Sequence, residues 1–309
     1  MIAKDRFNLQ LVCLALFGVI LSLILQEYNS SLITSPQDLR YGMIYTADEP
    51  SYIQPVRNWL ANGVWADNFE GNSKYFQRPP GYGLLFGVCA LLLGEHAYLG
   101  LKLLHVFAFF FTIYLIGRIL RRIIRNDTIV LVSTAVFAAM PIFHGFMYYP
   151  LTEGITPFLL VFFVYRITLD KNKVDFSLLL VTAFLLLIRP QLIVLPLLFF
   201  GYAILKNKKH IAITLIFAAV PIIIWSVRTV SIEGKWKGLH PIYSNTNVTL
   251  FRPSHEKLTE LFRIWEDDGE RFHTLVGSLI NVSNEKEMDD VLVVVPVELR
   301  NDIKPLLKE

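Results

Sequence analysis

PPGYGLLFGVCALLLG, residues 79–94, decides how this chain is threaded. It is apolar from 81 to 94, but a helix over those residues is only about 21 Å long at about 1.5 Å per residue. A bilayer core is about 30 Å thick and asks for about 20 apolar residues. The stretch therefore either crosses at a strain or lies in the interface and returns to the side it came from.

Basic residues arbitrate between the two. Lys4 and Arg6 precede the first apolar run, 7–25. Arg118, Arg121, Arg122 and Arg125 follow a run at 98–116; Lys171 and Lys173 follow 155–169; Lys206, Lys208 and Lys209 follow 192–205. Cytoplasmic loops are enriched in Lys and Arg. If 79–94 spans, these later clusters fall outside. If it turns back, all of them fall inside with Lys4 and Arg6, and that is the threading we expect. Further runs at 129–147, 176–188 and 211–227 bring the expectation to about seven spans. The N-terminus is then cytoplasmic and the C-terminus outside, in a plasma or inner membrane.

Composition agrees with a polytopic, all-α membrane protein. Only 18% of the residues are charged, against about 25% in soluble domains, and the mean hydropathy is +0.47. The run at 7–25 is long for a signal peptide, and no small-x-small cleavage site follows it at Gln26-Glu27-Tyr28, so a retained first helix is expected. Cys13 and Cys89 both fall in or beside apolar runs, which argues against a disulfide framework.

The threading makes residues 27–78 one long outer loop. Loops of that length are usually functional or disordered. Tyr45, Tyr52, Trp59, Trp65, Phe69, Tyr75, Phe76 and Tyr82 supply more aromatic surface than a solvated linker carries. A folded loop on the membrane surface is expected, presenting Asp48-Glu49 at one end and Lys74 and Arg78 at the other. The same outer face receives Lys102, Glu153 and Arg189, and beyond 228 a polar tail, 229–309, with a charged helix at 255–279 and a short strand at 291–297.

Each candidate has two readings. Asp48-Glu49 is a solvated pair before Pro50, or a general base within reach of a hydroxyl. Lys74, Arg78 and Lys102 either snorkel to headgroups or gather round an anion, for which arginine offers a planar fork and lysine a point charge. Glu153 is an acid favoured at a helix N-terminus, or a site carboxylate. Arg189, flanked by Ile188 and Pro190, is a functional candidate or the structural partner of a carboxylate such as Glu153. His105 and His144, alone on apolar helices, read as packed side chains. No His/Cys cluster has metal-ligand spacing, no Gly-rich phosphate loop is present and there is no nucleophile elbow, so hydrolase and ATPase readings lack support; no cofactor is indicated, and a divalent cation stays open.

Taken together these features resemble the GT-C fold glycosyltransferases, in particular the protein O-mannosyltransferase and lipid A aminoarabinose transferase group. The resemblance rests on Asp48-Glu49 with Tyr52, on the stretch from Lys74 through Arg78 to Tyr82, on Gly100-Leu101-Lys102, on Tyr149-Pro150-Leu151-Thr152-Glu153, on Trp225-Ser226-Val227-Arg228-Thr229, and on the polar stretch 243–250. It implies a GT-C transmembrane module over 1–228, with 79–94 as an interfacial element. It also implies transfer of a sugar from a polyprenyl-phosphate donor to a glycan, lipid or protein acceptor, with inversion. Asp48 would act as the base, with Glu49 beside it. Arg78, Lys102 and Arg189 would hold the phosphate. Membrane lipids are the other expected partners, and nucleic acid is not expected. Relatives usually have more spans and a larger outer domain. A lipid-linked sugar flippase and a non-catalytic partner of a longer transferase stand as alternatives.

Overall fold

The computed structural model describes residues 2–31, 39–44, 46, 49–65, 78–169 and 175–233. All of them belong to the first of two compact units, Met1–Ser244. The second, Asn245–Glu309, lies outside the described residues, and so do the helix and strand expected in the tail.

The regular elements among the described residues are helices apart from one small hairpin. Helix α1 (Ile2–Ser31) is followed by strands β1 (Leu39–Arg40) and β2 (Met43–Ile44), then by α2 (Glu49–Asn62), α3 (Gly81–Leu93), α4 (Ala97–Ile123), α5 (Asp127–Ala139) and α6 (Pro141–Gly145). Next come α7 (Thr156–Ile167), α8 (Phe176–Ile188), α9 (Val194–Leu205), α10 (Lys209–Ala218) and α11 (Val220–Glu233). Three stretches, Arg6–Ser31, Gly81–Ile123 and Lys209–Arg228, are long and apolar enough to cross a membrane. Leu9 on α1, Leu91 and Leu92 on α3 and Leu205 on α9 are among many large apolar side chains left exposed. Such an apolar exterior exceeds the patches soluble monomers tolerate.

Gly81–Ile123 is not one rod. Gly94 takes φ +55°, a conformation glycine adopts without a Cβ penalty, and a 3-10 turn over Gly94–His96 reverses the chain. Phe86 and Tyr98, which a continuous helix would hold about 18 Å apart, have ring centroids 5.1 Å apart. Tyr82 and His105 meet at 3.0 Å. Thus α3 folds back along the first part of α4.

Local chemistry sets the other boundaries. The apolar run at 129–147 is cut by Pro141, which cannot donate to a continuing helix, so α5 stops and α6 starts anew. Asp175 caps α8, accepting from the amides of Ser177 and Leu178, and pairs with Arg166 of α7. Tyr41 and Gly42 both have positive φ, +56° and +77°, as a two-residue type I′ hairpin turn requires; the register is Leu39↔Ile44 and Arg40↔Met43.

Helix α4 gives the bundle its two ends. At one end Arg121 lies 3.8 Å over the Phe7 ring and bonds Asp127, while Arg122 donates to Thr168. At the other, Tyr98 reaches α2, Gly154 packs on His105, and Gly81 packs on the last residues of α8. The main core lies between α2, α3, α4, α7 and α8, around Tyr82, Leu101, Phe163 and Leu185. Smaller clusters seat α1 against α4 and α5.

Candidate functional site

Helix α2 carries the site because its buried face repeats at helical spacing: Glu49, Tyr52, Ile53 and Val56 all turn inward. They meet the glycine face of α3. A Cβ on Gly83 would lie 2.6 Å from the Tyr52 carbonyl oxygen, and one on Gly87 2.7 Å from Val56. The two helices therefore approach backbone to backbone, and Tyr52 and Glu49, one turn apart, are aimed at two different clusters.

Tyr52 belongs to the first. Its ring lies 5.1 Å from the Arg78 guanidinium and 5.7 Å from the Tyr82 ring. Burial raises the pKa of its phenol, while Arg78 and a hydrogen bond with Thr152 pull the other way. Arg78 also donates to Ser51 Oγ at 3.3 Å. Thr152 donates to Glu153 Oε2 at 3.0 Å, and Glu153 Oε1 accepts from Arg189. Both carboxylate oxygens are thus engaged. Arg189 sits where α8 ends against Pro190, with its backbone N–H closing the helix on Leu185. The pair is open to the outside, with about a third of each side chain exposed (31% for Arg189, 34% for Glu153). A guanidinium has five N–H donors; among the described residues Arg189 bonds only Glu153, so the others can take an anion. Beneath lie Tyr82 and the fully buried His105.

Glu49 belongs to the second cluster. It is 2% exposed, and its Oε1 accepts from the Tyr98 hydroxyl. The same hydroxyl oxygen accepts from Arg40 Nη1 at 3.0 Å and from Arg57 Nη2 at 3.1 Å. Burial pushes the Glu49 carboxyl above its ordinary range, outweighing Tyr98, Arg40 and Arg57, which pull it down. Its other oxygen has no hydrogen-bond partner among the described residues.

The sequence expectations fare unevenly. Tyr52, Arg78, Glu153 and Arg189 come together over Tyr82. Glu49 lies at the same end but under Tyr98. Lys102 faces away to the hairpin, donating to the Tyr41 carbonyl at 3.0 Å. Asp48 and Lys74 lie outside the described residues. His105 and His144 are buried, as packed side chains would be. Sequence reasoning passed over Arg40, Arg57 and Tyr98, and quoted Thr152 only as a neighbour of Glu153. Arg57 carried a faint signal, falling eight residues after Glu49 and so near the same helix face; Tyr98 carried none.

No group of three or more His, Cys, Asp or Glu that could hold a metal occurs among the described residues. Comparison with family models, with curated proteins and with solved structures returned no match.

Proposed function

We propose that this end of the bundle transfers a sugar from a polyprenyl-phosphate donor to an acceptor hydroxyl on a glycan, lipid or protein, inverting the anomeric centre. The observation that carries the reading is the half-open Glu153–Arg189 pair, flanked by Tyr52 and Arg78. Side chains from four separate segments converge there, and Arg189 keeps donors to spare.

In this reading the chain has a GT-C arrangement of about seven spans, the N-terminus is cytoplasmic and the site faces outward. The hairpin of α3 on α4 supports a return of 79–94 to the side it came from. Asp48, next to Glu49 in sequence, takes the acceptor's proton as its oxygen attacks the anomeric carbon. The sugar–phosphate C–O bond breaks and the phosphate leaves with the electron pair. Arg189 and Arg78 offset the charge that develops, a use of fixed donors that is usually a large term in catalysis. Glu153 and Thr152 orient Arg189. Lys102, occupied at the hairpin, takes no part.

The test is transfer by the full chain in nanodiscs, using radiolabelled polyprenyl-phosphate sugars. Loss of a general base removes about 10²–10⁴-fold of rate, so Asp48→Asn should abolish label transfer and Arg189→Gln should nearly do so, while Lys102→Gln retains it. Full activity in Asp48→Asn removes that residue from the mechanism. Wild-type protein that transfers no label from any polyprenyl-phosphate donor sinks the reading.

A further inference from the structure

A groove of about 580 Å³ runs between α1 and α5, at the opposite end of α4 from the Glu153–Arg189 pair, and shares no lining residue with it. Helical spacing builds its walls. Arg6, Gln10 and Leu14 recur every four residues on one face of α1, with Cys13 between them. Leu131 and Ala135, one turn apart, face them from α5. The small side chains of Cys13 and Ala135 hollow the groove, and it opens outward, since Leu9 and Val132 in its lining are 63% and 58% exposed.

The chemistry of the groove changes with depth. Arg6 begins the stretch of α1 that is long and apolar enough to cross a membrane, which sets its guanidinium at the level of lipid headgroups. It makes no hydrogen bond or ion pair among the described residues. Asp127, the acid that begins α5 one turn before Leu131, is already held by Arg121. One turn on from Arg6, Gln10 offers an amide inside an otherwise apolar wall. Beyond Gln10 the lining carries neither charge nor amide. From Arg6 to Leu14 the helix rises about 12 Å, against about 15 Å for one leaflet of the hydrocarbon core. A cation, then an amide, then apolar wall is the order in which a phospholipid presents phosphate, glycerol ester and acyl chain. Guanidinium and phosphate make charge-assisted hydrogen bonds. An apolar helix of another chain would fill the groove but bring no anion to Arg6.

We propose that this groove holds one anionic phospholipid, its phosphate on Arg6, its ester region at Gln10 and an acyl chain between α1 and α5. The site stands independently of the transfer reaction. The experiment is native mass spectrometry of the delipidated full chain, offered an equal mixture of phosphatidylglycerol and phosphatidylcholine. Wild type should keep one phosphatidylglycerol at least about tenfold over phosphatidylcholine, the scale of one charge-assisted hydrogen bond. Arg6→Gln should erase that preference. Ala135→Trp, which fills the groove without touching a charge, should lose the retained lipid. Lys209→Gln, on α10, which packs on α8 and α9, should behave as wild type. Circular dichroism identifies any variant that fails to fold, and Arg6, an exposed side chain, can be changed without touching the core. No preference in wild type, or the wild-type preference in Arg6→Gln, overturns the site. A lipid-free dimer that Ala135→Trp breaks overturns the lipid as occupant.

Discussion

Tyr98→Phe deletes one oxygen and with it three hydrogen bonds. That oxygen donates to Glu49 and accepts from Arg40 and Arg57. Glu49 is 2% exposed and its second oxygen is already without a partner among the described residues, so the substitution leaves the whole carboxyl unbonded. An unsatisfied buried group costs about 1–3 kcal/mol, and breaking a buried charged arrangement costs about 3–5 kcal/mol. The overlap of the two ranges sets the expectation at about 3 kcal/mol. At about 2–4 °C per kcal/mol for a chain of this size, the midpoint of thermal unfolding should fall by about 6–12 °C. The assay is thiol-reactive dye fluorescence on detergent-purified protein, reporting Cys89, which is buried. Glu49→Gln/Tyr98→Phe should recover part of the loss, because the double variant carries no buried acid; a coupling of about 1–2 kcal/mol is expected for groups in direct contact. A Tyr98→Phe shift of under about 2 °C, or strict additivity in the double variant, refutes the idea that Tyr98 ties α2 to α4.

Three further outcomes follow from particular contacts. Because the pKa of Glu49 is raised in the folded protein, its contribution to stability is present below the ordinary value of 4.5 and is lost as pH rises through the raised value; thermal midpoints of wild type should therefore fall relative to Glu49→Gln as pH rises from 4.5 through that raised value, and parallel profiles would contradict it. For Asp175, desolvation is outweighed by Ser177 and Arg166, so its pKa is lowered and its contribution is lost as pH falls through that lowered value; Asp175→Ala should cost about 2–4 kcal/mol through the cap and the ion pair, and Asp175→Asn, which keeps the cap, should cost less. A Cβ on Gly81 would meet backbone atoms of Leu187 and Ile188 at 2.8 Å, so Gly81→Ala should cost about 1–3 kcal/mol or more, whereas Gly201→Ala, with nothing within 4 Å, should be neutral or stabilising in the same thermal assay.

The helices were legible where an apolar run is bounded by residues with local chemistry. The run at 176–188 coincides with α8, because Asp175 caps its start and Arg189-Pro190 ends it. Pro79-Pro80 and Gly94 likewise bracket α3. The run at 129–147 read as one helix because hydropathy averages over Pro141, whereas the backbone does not. In the site, pairing of Arg189 with Glu153 was readable as one of two alternatives, since a lone arginine among apolar residues seeks a carboxylate. The three-way junction on Tyr98 was not readable. A phenol that accepts from two arginines and donates to one acid imposes no spacing on the sequence. It depends on α3 folding back, which brings Tyr98 under α2.

Two clusters that look separate share one support. Glu49 and Tyr52 stand a single turn apart on α2, the first held by α4 through Tyr98 and the second facing Arg78 and Thr152. The helix between them has little freedom to shift, because the Tyr52 carbonyl already rests on Gly83 and Val56 on Gly87. Any rotation that releases Glu49 from Tyr98 must also swing Tyr52 away from Thr152, and with it disturb the carboxylate that orients Arg189.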